Sequence, residues 1–142
     1  MPPLLRTILA SILGIIVGGA VNGALIVLGP SLIAPPPGVD MSTAEGLTAA
    51  MPLLTAKHFV FPFLAHALGT LAGALTGALI ATSHRTIVAY AIGIVYLCGG
   101  IAASFMIPAP LWFIALDLVA AYIPMAWLGL SLADRLKPVA AK

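Results

Sequence analysis

His66 and Asp117 are the residues of this chain best placed to do chemistry, because each stands inside a long apolar segment. An ionisable group at the centre of a membrane helix costs roughly 2.5–3.5 kcal/mol on insertion scales, so it needs a partner or a task. His66 lies about seven residues in from Phe59, and Asp117 about six in from Leu111. At about 1.5 Å of rise per residue both sit roughly 10 Å below the same surface. A shared depth permits a contact, direct or through water, that lowers the cost of each. Asn22 and Ser104 fall in the same half of their own segments, and His58 stands at the edge above them. His66, Asp117, Asn22, Ser104 and His58 therefore form a candidate polar pocket for a ligand or a proton. The other half offers only hydroxyls such as Ser11, Thr76 and Tyr90, which favours a pocket open on one side over a continuous pore.

Several chemistries can be weighed against this set. Imidazole is the side chain that changes charge near neutral pH, so a His66–Asp117 pair could move a proton; the structural alternative is a hydrogen bond between helices. Zinc would need closer ligands. His58 and His66 are eight residues apart, about 12 Å along a helix, whereas the compact spacing is i, i+4. Haem held by two histidines needs them on facing helices, and here both lie on one. No metal and no cofactor are expected. Ser104 or Cys98 could join His66 and Asp117 as a nucleophile, but no sharp turn or oxyanion hole is recognisable. The enzyme reading is thus the weaker one, and no catalytic residue is assigned. The absence of a phosphate-binding loop or dinucleotide glycine pattern excludes an ATP-driven role for this chain alone.

The elements that must position these residues follow from composition. Of 142 residues, 62% are hydrophobic and only 7% charged, and the mean hydropathy is +1.18; soluble domains carry about 25% charged residues. The expected fold class is all-α, a polytopic membrane protein with four transmembrane helices in a bundle. The segments run from about 7–33, 59–81, 87–107 and 111–132, with an outer loop at 34–58, all in one domain. Each approaches or exceeds the roughly 20 residues that cross a bilayer as a helix. The first could be mistaken for a signal peptide, yet its apolar run continues well past Gly18-Gly19-Ala20 to Ile33, longer than a signal core. No alternation of the kind a β-barrel requires is present.

Orientation follows from basic residues, since short Lys- and Arg-bearing loops stay in the cytoplasm. Arg6, Arg85, Arg135, Lys137 and Lys142 fall on one side and only Lys57 on the other. Both termini are expected to be cytoplasmic. The pI of about 9.0 is then a topology signal, without the basic cluster and aromatic stacking of a nucleic-acid binder. Trp112 and Trp127, about 22 Å apart along a helix, suit the two interfaces of the fourth span. Cys98 is the single cysteine, so no intrachain disulfide forms, and it reads as a buried, inert thiol.

The loop from Ala34 to His58 opens with three prolines and continues with Ser42 and Glu45 in the S-x-x-E capping pattern, with Asp40 adding charge at that end. Leu47, Met51 and Leu54 follow at intervals of four and three, so Thr43 to Met51 reads as a short amphipathic helix over the bundle mouth. Gly69, Gly73 and Gly77 make a double GxxxG on the second segment; Gly14/Gly18 and Gly19/Gly23 make two pairs on the first. Such stripes let helices approach closely, within the chain or in a homo-oligomer, which four short helices favour. A faint echo between "LGIIVGGAVNG" and "IGIVYLCGGIAAS" would be a parallel repeat.

The runs "HFVFPFLAHALGTLAGA", "MIPAPLWFIALDLV" and "YIPMAWLG", with Gly38-Val39-Asp40 in the loop, resemble an uncharacterised family of small bacterial four-helix integral membrane proteins. The resemblance covers most of the chain; it implies fold and a bacterial inner-membrane location and carries no activity. The expected role is a non-enzymatic membrane protein that binds a small-molecule or lipid ligand or supports an assembly, with the lipid bilayer and a second copy as partners. The alternative is a proton-coupled transporter or channel.

Overall fold

The computed structural model describes residues 2–137, so Lys142 lies outside the described residues. These residues form α1 (Pro3–Leu32), α2 (Ala44–Ala50), α3 (Val60–Ile80), α4 (Arg85–Met106), α5 (Leu111–Ala120) and α6 (Ile123–Leu136), and no strand among them. Single-turn 3-10 helices at Met51–Leu53 and Ala56–Phe59 join α2 to α3. Four helical stretches are long and apolar enough to cross a membrane: Pro3–Leu32, Ala56–Ile80, Arg85–Met106 and Leu111–Leu136.

The fourth stretch differs from the continuous helix expected over 111–132. It breaks at Ala121 and Tyr122, whose backbone departs from the helical path (Tyr122 φ −117°, ψ −78°). Pro124, in the first turn of α6, supplies the cause: it has no amide hydrogen, so the carbonyl of Ala120 loses its i+4 donor.

α3 is the central element. It packs against α1, α4 and α6, while α1 lies chiefly on α3 and, to a smaller extent, on α4. The α1–α3 contact is made of glycines. A Cβ on Gly73 would stand 2.8 Å from the Gly14 carbonyl oxygen, one on Gly69 would stand 2.9 Å from that of Gly18, and one on Gly77 would stand 3.3 Å from that of Ala10. Gly23, in contrast, faces open space. On the other side of α3, Ala74 and Ala78 meet Ala89 of α4 and Ala126, Leu130 and Ala133 of α6 in a core of small residues. Backbone-to-backbone proximity of this kind gives dispersion where burial from water contributes little.

Two ends can be distinguished, a loop end carrying residues 33–59 and a terminal end carrying Arg6, the α3–α4 turn and the end of α6. At the terminal end, three basic side chains satisfy the last carbonyls of α3. Arg85 Nε donates to Ala78 O (2.9 Å), Lys137 Nζ to Leu79 O (3.5 Å) and Arg6 Nε to Ile80 O (2.8 Å). Helices leave such carbonyls unpaired, and cations there also meet the negative end of the dipole. Arg85 Nη1 further donates to Lys137 O (2.8 Å) and pairs with Asp134 (3.2 Å). Residue His84 takes a left-handed conformation (φ 58°) to make the tight turn into α4.

Capping of α2 is shifted by one residue from the expected pattern. Thr43, not Ser42, is the N-cap, accepting from the Gly46 amide at 3.0 Å. Ser42 is engaged elsewhere: its hydroxyl and amide donate to Asp40 Oδ1 at 2.6 and 2.8 Å. Those two bonds, the hydroxyl first, hold the Asp40 carboxyl below the usual carboxylate range.

Candidate functional site

His66 sits on α3 one turn before Thr70, whose buried hydroxyl donates back to the His66 carbonyl at 2.8 Å. Asp117 sits on α5 one turn before the helix break. The two meet: His66 Nδ1 lies 2.8 Å from Oδ1 and 3.0 Å from Oδ2 of Asp117. The carboxylate side chain is 6% exposed and the imidazole 24%.

A third residue completes the arrangement. The Tyr122 hydroxyl donates to Asp117 Oδ2 at 2.8 Å, and its ring stacks beside the His66 ring with centroids 5.8 Å apart. The helix break makes this geometry available. In an uninterrupted helix residues 117 and 122 would point about 140° apart; the irregular backbone at 121–122 turns the phenol back onto the carboxylate. Gly100 on α4 leaves the room, because a Cβ there would collide with the phenol oxygen and lie 2.6 Å from the ring carbon that bears it. Sequence reasoning missed Tyr122 and Gly100. The available signal was Pro124, which marks a new helix start.

Above this triad lies a cavity of about 390 Å³ that reaches towards the loop end. It occupies the space where α1 and α4 part. Lower down, Tyr96 of α4 ties the two together by donating to the Ile15 carbonyl at 2.6 Å. Higher up, Ile26, Gly29 and Pro30 of α1 with Ile33 just beyond it, and Gly100, Ala103 and Ser104 of α4 with Ile107 just beyond it, line the void. Leu47, Met51 and Leu54 of the loop close over it, and Phe59, Phe61 and Phe113 line its walls.

Four of the five candidate pocket residues line this cavity: His66, Asp117, His58 and Ser104. Asn22 does not; its Cβ and amide abut Gly69 in the α1–α3 contact. Ser104 donates to its own helix at Ile101 O (2.7 Å). His58 Nδ1 accepts the Thr55 amide at 2.9 Å in a reciprocal cap, which places its ring hydrogen on Nε2 when the ring is neutral. The lining is therefore mainly hydrocarbon and aromatic, more apolar than the polar pocket expected. Among the described residues His66 Nε2 has no protein partner, and it is not among the buried unpaired atoms. On this cavity-lining residue Nε2 is thus an accessible, open hydrogen-bonding position.

Below the triad the way is filled by the small-residue core of α3, α4 and α6. No group of three or more metal-ligating side chains occurs among the described residues. Cys98 corrects the expectation of a buried thiol: it is exposed on the outer side of α4, since α4 turns its Gly93 and Gly100 face inward. Ser104 and Cys98 therefore occupy different faces, and of the two only Ser104 lines the cavity with His66.

Comparison of the chain with models of known families, with curated proteins and with solved structures gives no match.

Proposed function

We propose that this chain is a four-helix integral membrane protein of a bacterial inner membrane that binds a small, largely apolar or lipid-like molecule in its loop-end cavity, without transforming it. The observation that carries the reading is a cavity of about 390 Å³, walled mainly by aromatic and aliphatic side chains, with His66 and its open Nε2 among its few polar lining groups. Pockets of 300–1,000 Å³ with few, convergent polar groups are typical of ligand sites. Support for the membrane setting comes from four long apolar helices. Support for cytoplasmic termini comes from Arg6, Arg85, Arg135 and Lys137 at the terminal end, against Lys57 at the loop end. Kinship with small bacterial four-helix membrane proteins belongs to the same proposal. Self-association does too, supported by the outward Gly23 and the exposed Ile12 and Ile16 of α1, and is read by the native mass of the reconstituted protein.

Trp112 offers the test, because its ring packs edge-on to Phe59 with centroids 5.4 Å apart, and Phe59 lines the cavity. With Trp127→Phe as background, a brominated alkane is expected to quench Trp112 saturably in nanodiscs. Ala103→Phe, which fills the cavity, is expected to remove the saturable part. Quenching that stays linear, or is indifferent to Ala103→Phe, sinks the proposal.

One observation favours proton-coupled transport as a second reading: the helix break beside Asp117 resembles the interrupted helices at transporter binding sites. The Ala- and Gly-rich packing beneath the triad supports binding over a through path. Proton or solute flux in liposomes, lost on changing His66 or Asp117, would carry this second reading instead.

A further inference from the structure

We infer that the molecule taken by the cavity is uncharged and presents a carbonyl oxygen, which accepts a hydrogen bond from His66 Nε2–H. The inference rests on the ligand-binding reading above and adds the chemical class of the ligand. It follows from the charges around the cavity, element by element. α3 contributes His66, the segment before it His58, α5 Asp117, and the α5–α6 junction the Tyr122 phenol on that carboxylate. Among the described residues α1 and α4 contribute no titratable lining group, and no Lys or Arg lines the cavity.

With one proton between them, His66 and Asp117 would leave a net negative charge in an apolar site, with no cation to offset it. Such a charge is costly. The pair is uncharged when it holds two protons, and this can happen in two ways. Either His66 is an imidazolium beside a carboxylate, or a neutral imidazole accepts at Nδ1 from a carboxylic acid. The Asp117 contact occupies Nδ1 in both cases, so Nε2 carries a hydrogen in both. The open position is therefore a donor wherever the shared proton rests. A donor asks for an acceptor on the ligand. Among the described residues no Lys or Arg lines the cavity to pair an anionic head, His58 Nδ1 is engaged in accepting the Thr55 amide, and any positive charge on His66 is matched by Asp117. The single lining carboxylate is 6% exposed and held by His66 and Tyr122, which denies an ammonium access to it. What fits is a carbonyl oxygen on an otherwise apolar body.

The test uses the full chain with Trp127→Phe in nanodiscs and three brominated probes of equal length: an alkyl methyl ketone, the hydrocarbon without oxygen, and the primary amine. The ketone is expected to saturate Trp112 quenching at about tenfold lower concentration than the hydrocarbon, the worth of one good hydrogen bond to a buried donor. His66→Leu is expected to erase that difference and keep hydrocarbon binding. Equal binding of ketone and hydrocarbon overturns the inference while leaving the apolar cavity standing; tighter binding of the amine overturns it in favour of a cation site. Saturable binding by none of the three means the ligand-binding reading itself has failed. Nitrogen-15 NMR of histidine-labelled wild-type protein, assigned with His66→Gln, reads the same point without relying on a destabilised variant. A protonated Nε2 in the ligand-free protein at neutral pH is expected, and a bare Nε2 overturns the inference.

Discussion

Asp117 is held by two hydrogen-bond partners from different directions, and the space for one of them depends on a glycine. Gly100 admits the Tyr122 ring, so Gly100→Ala should push the phenol away from Asp117 and add steric strain in α4. Tyr122→Phe removes the same hydrogen bond while keeping the packing. The expected losses are about 2 kcal/mol for the first, combining overpacking with a lost bond, and about 1 kcal/mol for the second. Denaturant titration in mixed micelles checks the order; a Gly100→Ala protein no less stable than Tyr122→Phe would mean that Tyr122 is not confined as described. At this scale the His66–Asp117 contact is legible in the sequence, because depth along a helix can be counted from its ends and few polar groups compete. Tyr122 is not legible by the same counting. Five residues of regular helix separate it from Asp117 on the wheel, and only the break returns it.

Elements show which local signals decide a boundary. The apolar run over 111–132 continues without interruption through Ala120-Ala121-Tyr122, so hydropathy alone reads one helix; Pro124 outweighs it because a missing amide cannot be offset by side chains. In α2 the expected Ser42–Glu45 capping box gives way to a single cap by Thr43, one residue on, since Asp40 claims the Ser42 hydroxyl. That turn carries a pH dependence whose sign is fixed. The Asp40 carboxyl is depressed by Ser42, so its contribution is present above the carboxyl's unfolded value and is lost as pH falls through the lower folded one. Amide exchange at Ser42 and Gly46 should quicken in that acid window in the native protein and lose its dependence in Asp40→Asn. At the other end of α3, basic residues that signal topology in the sequence are also its caps. Arg85→Met should cost about 2 kcal/mol in the same micelle titration. Its bonds to Ala78 and Lys137 carry charge and favour a larger figure. However, Arg85 Nη2 is buried without a partner, and the Asp134 side chain is half exposed, which limits that pair. No measurable loss would leave the basic residues with the proposed topological role alone.

For the whole molecule, the fold is a three-way packing around α3 with α1 laid along one edge. Small residues let α1 approach α3 closely at Gly14 and Gly18, yet most of α1 remains uncovered, including Ile8, Ile16 and Val27. Under the proposed membrane setting that face would meet lipid or another chain. The glycine spacing reveals that close packing occurs somewhere, but the sequence cannot choose between partners, because small faces of any two helices are alike; the pairing of Ala10, Gly14 and Gly18 with Gly77, Gly73 and Gly69 is a property of the assembled chain. Cys98 permits a direct test of the proposed membrane setting. It is the single thiol, it lies exposed on α4, and it is 13 residues from the Arg85 start of that 22-residue helix, hence about 20 Å along its axis. If α4 spans hydrocarbon, a spin label attached there in detergent and reconstituted into vesicles should collide readily with dissolved oxygen and hardly at all with a water-soluble nickel chelate. The bundle itself cannot produce that contrast, since a thiol on the outward face of α4 would meet both relaxers in water. Free access of nickel to Cys98 would remove the bilayer from the proposal and, with it, the electrostatic reason for a donor at His66 Nε2.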